Sequence, residues 1–418
     1  MRILSNSAWG GNDGSAENTI SGMQLSRREL LRTGVAVSVL GAIPRASDRT
    51  HTQRDVFIGY TQLRTDLAGG RRANVATMRA VVSRTDGSGR RFLAEELSNE
   101  PGAWTQFAGW SPDGGVAIHG RGWESIANGI WEEEHQTFRF SPDGWLYDAY
   151  LVDLASGKAT NVTAIERVSF YNSGLFFWPN DPTKLGFQAL IDGNSHPFRM
   201  DRNGRNKRDL TKDSKEFAYG FSASPDGKRI AYHKSYQVYI ADRDGTGAKR
   251  IETGQPFNFV PQWSPDGQWL LFLAGEHYRC HPYVVRNDGV LLRKLADRAG
   301  YRGVVEFLDV PDFHGGSRDV PVWSPDGSSV YYTALVDRSV ELFRVTLDGR
   351  SRCLTHSLPG TLHYHPQPAP AGRWLAYGSK RNGVRQLYVR GLDDNSERCI
   401  TDLKQGQAAM WPQWQPRQ

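Results

Sequence analysis

Trp263-Ser264-Pro265-Asp266-Gly267-Gln268-Trp269-Leu270-Leu271-Phe272-Leu273 reads as a tight turn followed by an apolar strand. Pro pre-sets the backbone, Asp bonds it locally, and Gly accepts the positive φ that such a turn demands. The same turn stands in Trp110-Ser111-Pro112-Asp113-Gly114 and Trp323-Ser324-Pro325-Asp326-Gly327, and Ala223-Ser224-Pro225-Asp226-Gly227 lacks only the Trp. Looser echoes are Trp178-Pro179-Asn180-Asp181 and Pro368-Ala369-Pro370-Ala371-Gly372. A period of about 40 residues signals an array of similar small units.

Residues Val260 to Leu295 show the grammar of one unit. A run ends at Trp263, the turn follows, and strands then cover Trp269 to Leu273, Tyr283 to Arg286 and a stretch to Leu295. An Asn287-Asp288-Gly289 turn separates the last two; its counterparts are Asp86-Gly87, Asn203-Gly204, Asp244-Gly245 and Asp348-Gly349. Four antiparallel strands per unit make a propeller blade. First strands end near Trp110, Trp178, Ala223, Trp263, Trp323 and Pro368. Met410 to Pro416 reads as a further first strand with no successors, and Val56 to Leu93 as later strands with no first. Pairing these segments completes one more unit and removes an exposed edge. The expected fold is all-β: a seven-bladed β-propeller forming a single domain over residues 55–418, closed by pairing of N- and C-terminal strands.

The formal charge of +6 is spread among both signs over 418 residues. No Lys/Arg run has the length of a nucleic-acid-binding arm, so no nucleic-acid partner is expected. Ser26-Arg27-Arg28-Glu29-Leu30-Leu31 precedes the apolar stretch Gly34 to Ile43, with Ala46 as a cleavage point. This order of basic, apolar and small residues reads as a twin-arginine signal peptide within a disordered leader of residues 1–50. The bland alternative is a chance Arg pair before a short helix. The apolar run is too short for a stable membrane anchor, so the expected location is periplasmic or secreted. The three cysteines are Cys280, Cys353 and Cys399. Cys353 and Cys399 occupy equivalent outer-strand positions, which diverge around a ring beyond the ~7 Å limit for a bridge. Separate thiols are expected.

Counting from the repeated turns maps ten of the eleven His to one rim, opposite the Pro-Asp-Gly turns. His119, His135, His196, His233, His277 and His281 fall in or beside loops between second and third strands. His314, His356, His363 and His365 fall in blade-joining loops or at first-strand starts. In His363-Tyr364-His365-Pro366, alternation along a strand puts both imidazoles on one side, where they could hold one ion or pack between blades. Gly275-Glu276-His277-Tyr278-Arg279-Cys280-His281 offers ligand types suited to Zn or Mn, or is simply a polar loop. The metal candidates are therefore His277, His281, His363 and His365, for a divalent Mn or Zn; no organic cofactor is expected. His233-Lys234-Ser235-Tyr236-Gln237 combines a possible base and acid. Arg318, in the inserted loop Asp312 to Asp319, can meet a carboxylate bidentately, as can Arg381. From Gly120 to Tyr147 runs a long excursion with Trp123, Trp131 and Glu132-Glu133-Glu134-His135, whose rings suit stacking on sugars or packing of the loop itself.

The repeated turn resembles the WD40-like (PD40) repeat of TolB propellers, most closely at Ser379-Lys380-Arg381-Asn382-Gly383-Val384-Arg385-Gln386-Leu387-Tyr388-Val389. That resemblance implies the fold over most of Val56 to Gln418. His363-Tyr364-His365-Pro366 on such a ring is similar to oligogalacturonate lyases, which hold a metal in the channel. Ulvan lyases likewise use His, Tyr and Arg on seven blades. This resemblance implies β-elimination of uronate-containing glycans, with His233 or Tyr236 as base and acid and Arg318 as carboxylate partner. An acidic polysaccharide or oligosaccharide is the partner on that reading. The alternative is a non-catalytic TolB-like propeller that docks protein or glycan partners.

Overall fold

A computed structural model describes residues 56–139, 143–164, 175–191, 194–211, 214–277, 279–310 and 317–416. The twin-arginine stretch and its leader, Tyr278 and His314 lie outside the described residues. Residues Gln53–Gln418 form one compact unit.

The chain folds as antiparallel four-stranded meanders, giving an all-β, propeller-like architecture. Ala103–Trp110, Val116–Glu124, Trp145–Asp153 and Ala159–Asn161 pair in sequence order. Phe257–Trp263, Trp269–Glu276, Arg279–Arg286 and Arg293–Lys294 do the same. Further meanders begin at Phe176–Trp178, Ala218–Ala223, Val322–Trp323 and Leu362–Pro368. The last strand, Gln407–Trp414, pairs antiparallel with Phe57–Arg64, which continues into Arg79–Arg84 and Arg91–Phe92. The terminal segments thus supply one meander between them, as their composition required.

The repeated tetrapeptide is explained by its hydrogen bonds. The Ser264 hydroxyl donates to Asp266 and accepts the Trp269 N–H at 2.9 Å. Gly267, at φ +68°, donates its N–H to the Ser264 carbonyl. Ser111, Ser224 and Ser324 make the same pair of side-chain bonds. Ser and Asp together therefore tie the end of one strand to the start of the next.

The Trp before the turn works between units. Trp323 Nε1–H donates to the Gln262 carbonyl at 3.3 Å, and Trp414 to the Gln367 carbonyl at 2.8 Å. Trp110 makes the same bond to the Gln413 carbonyl at 3.1 Å, across the junction of the two chain ends.

A second recurrence was invisible as a motif. Four first strands carry a β-bulge three residues before the Trp position, with a left-handed residue at Gly220, Val260, His365 or Trp411. A bulge inserts one residue and breaks side-chain alternation. Glycines admit close cross-strand aromatics: Tyr364 lies over Gly378, where an added Cβ would sit 1.9 Å from its ring.

The described part of the long excursion contains a helix. Ser125 caps helix Ile126–His135 by accepting the Asn128 N–H. Arg71, in helix Gly70–Val75, reaches the buried carboxylates of Glu124 and Glu132. Trp131 stacks on His135 with ring centroids 4.0 Å apart.

All three cysteines are free, and the Cys353 and Cys399 thiols each bond a carbonyl two residues on. No helix among the described residues is long and apolar enough to cross a membrane.

Candidate functional site

Four of the seven candidate residues converge on one aromatic ring. Phe259 sits in a first strand just before the bulge at Val260. The Arg318 guanidinium stacks 3.5 Å from its centroid. His233, Tyr236 and His277 lie 5.7, 5.3 and 6.5 Å from it. The convergence has local causes. Ser235 and Tyr236 take positive φ (47° and 62°) in the hairpin after strand Arg229–Lys234, which turns Tyr236 back over His233. In the insertion before Trp323, Val304–Val305 pairs antiparallel with Ser317–Arg318, and Arg318 reaches Phe259 from this pair.

The imidazoles are not equivalent. His233 is 1 % exposed, and its Nδ1 accepts the Val260 N–H at 3.3 Å. Burial, reinforced by Arg318, pushes its pKa down to about 3. His277 occupies the exposed turn before strand Arg279–Arg286. Partial burial and then the nearby Arg318 and Arg302 lower its pKa, so it is a free base at neutral pH. Burial raises the Cys280 thiol to about 11, which keeps it protonated.

Three candidates stand apart. His281 follows Cys280 in the strand and so faces the other way; its Nδ1 accepts the Arg298 N–H and its Nε2 lies 3.7 Å from Asp297. His363 and His365 do not share a face, because His365 is itself the left-handed bulge residue (φ 49°). His363 is fully buried, with Nε2 2.8 Å from Ser357 Oγ and 3.5 Å from Glu341. His365 stacks on Trp411 and places Nε2 3.3 Å from Ser317 Oγ. The reading that alternation aims both rings at one ion is corrected by this bulge. Among the described residues no group of three His, Cys, Asp or Glu side chains is placed to hold a metal. Among the described residues these donors are not brought together as a Mn or Zn centre, and no role is assigned to a metal. His119 is also corrected: it lies in the middle of strand Val116–Glu124, fully buried, rather than in or beside a loop between second and third strands. Arg381 is committed to Glu397 at 2.6 Å, whereas Arg318 has no ion pair among the described residues.

Sequence reasoning missed the floor of the site. A cavity of about 20 Å³ is lined by Phe259, His277, Cys280, Arg298, Arg302 and Arg318, among others. Arg298 is fully buried and donates Nη2–H to the Asp319 carbonyl at 2.6 Å. The Asp319 carboxylate, also fully buried, accepts the His365 N–H at 2.8 Å and the hydroxyls of Thr333 and Tyr301. The signal available was Arg298-Ala299-Gly300-Tyr301-Arg302-Gly303, two arginines among glycines in the inserted segment. Asp319→Ala is expected to cost about 3–5 kcal/mol, since it strands buried donors and the Arg298 charge. Urea unfolding checks this; a loss under about 1 kcal/mol would show that the carboxylate is dispensable.

Residues 233–418 match the model of the TolB beta propeller domain (PD40). These repeats are TolB-like propeller repeats. An uncharacterized protein of Agrobacterium fabrum is 29% identical over 177 residues, covering 35% of this chain. An uncharacterized peptidase of Bacillus subtilis is 31% identical over 121 residues, covering 26% of this chain. The matched stretches span only 59% and 16% of those relatives' lengths. Among solved structures, an oligogalacturonate lyase in complex with manganese superposes with a TM-score of 0.53 at 16% identity, covering 78% of this chain and 84% of that one. At that identity the likeness concerns the fold. The TolB-like repeats thus position the cluster around Phe259, and its chemistry rests on its own residues rather than on the fold.

Proposed function

We propose that this chain is an exported, seven-bladed TolB-like propeller, a single domain over residues 55–418 with its ring closed by the terminal strands, that cleaves uronate-containing glycans by β-elimination. The observation that carries the reading is Arg318, without an ion pair among the described residues, stacked on Phe259 with His277 and Tyr236 against the same ring, at a cavity lined by Arg298, Arg302 and Arg318. Arg318 pairs with the uronate carboxylate and so acidifies the C5 proton. His277, held neutral, takes that proton, and the Tyr236 hydroxyl protonates the leaving glycosidic oxygen. His233 is sealed beneath Tyr236 with its Nδ1 in use, so its role is to position the Tyr236 ring. Export by the twin-arginine segment at Ser26 to Ala46 places the protein in the periplasm or outside the cell.

The test is incubation with oligogalacturonate and other uronate glycans, following ultraviolet absorbance of the unsaturated product. Arg318→Gln and His277→Gln should each lower kcat/KM by about 10²–10⁴-fold, with unfolding midpoints unchanged. Glycan binding with no unsaturated product from any uronate would replace the lyase reading with a non-catalytic binding propeller.

A further inference from the structure

The cavity beneath Phe259 holds a buried cation whose donors are unmet. Arg298 is fully buried, yet only its Nη2 has a partner; Nε and Nη1 have none. Among the described arginines, Arg298 is the one with two buried nitrogens that have no hydrogen-bond partner. A charged donor left so costs free energy that a bound anion would offset. The Asp319 carboxylate does not fill this place, because its oxygens already accept from His365, Thr333 and Tyr301.

The surroundings favour negative charge. Arg302 and Arg318 line the same cavity, and both lower the pKa of His277. Gly303 lets the guanidinium come close: an added Cβ would stand 2.1 Å from Arg298 Nη1. About 20 Å³ accommodates one water-sized atom, not a sugar ring. Only the tip of a larger ligand would enter it, with the body outside along Phe259, Arg318 and His277.

We infer that this cavity is a carboxylate-binding pocket, in which one carboxylate oxygen is received by the Nη1–H of Arg298, beside Gly303, while Arg302 and Arg318 meet the rest of the charge. The carboxylate can come from a uronic acid or from a free small acid. Only the uronic-acid source rests on the function proposed above.

Isothermal titration of the full chain in chloride-free buffer with sodium galacturonate, galactose and sodium acetate tests this. Galacturonate should bind and galactose should not. Tighter binding of galacturonate than acetate assigns a sugar acid; equal affinity assigns a free carboxylate. Arg302→Gln, at the exposed rim, should weaken galacturonate about tenfold. Gly303→Ala, which displaces the Arg298 head, should weaken it further. Arg298→Met is the direct variant, and the two neighbours keep the test decisive if it does not fold. No binding of either acid to folded protein, equal binding of galactose, or unchanged affinity in both neighbouring variants would overturn the inference. Binding is read without turnover, so a protein that binds galacturonate and cleaves nothing sinks the lyase reading and leaves this pocket standing.

Discussion

Deletion of residues 407–418 is expected to abolish cooperative folding. Strand Gln407–Trp414 pairs with Phe57–Arg64 along its length and buries Ala408, Ala409, Met410 and Trp414. Its Trp414 indole bonds the Gln367 carbonyl, and its Gln413 carbonyl accepts the Trp110 indole. Removing a buried Trp and a buried Met alone costs about 5–10 kcal/mol, and the partner strand becomes an open edge. That matches the whole stability of a typical domain, about 5–15 kcal/mol. Circular dichroism melting and size-exclusion chromatography decide the outcome. A sharp transition at the full-length Tm would mean that the terminal strand does not close the proposed ring.

Acid should destabilise the protein steeply below pH 6.5. Burial drives His119 and His233 to about 3 and His365 to about 4. In the unfolded chain each titrates near 6.5. Between about pH 6.5 and pH 3–4 the unfolded state therefore binds protons that the folded state refuses. Stability rises with pH in that window and is lost as pH falls through it. Each imidazole contributes up to about 1.4 kcal/mol per pH unit. Urea unfolding at pH 7, 6 and 5 measures the slope. His119 isolates the effect, because neither ring nitrogen has a hydrogen-bond partner. His119→Leu should leave stability at pH 7 nearly unchanged and add about 2 kcal/mol at pH 5. An unaltered slope in that variant would remove His119 from the account.

The fold was legible because the turn chemistry is local. Ser264, Pro265, Asp266 and Gly267 make their contacts within six residues, so their recurrence reports a recurring hairpin without knowledge of the rest. The site was legible only in part. Tyr236 and His233 lie three positions apart in sequence, and Arg318 sits in an insertion that spacing exposes. The separation of His363 from His365 was not legible, since it depends on a bulge that leaves no fixed residue type: Gly220, Val260, His365 and Trp411 all occupy it.

By itself the sequence determined the unit, its register and the sharing of one meander between the chain ends, because each rests on turns and strands that encode their own geometry. The tertiary structure decided which side chains meet. Phe259, Arg298 and Arg318 come from separate elements. Their meeting depends on hairpin twist, a bulge and the fold of an insertion, none of which a residue declares through its neighbours in the chain.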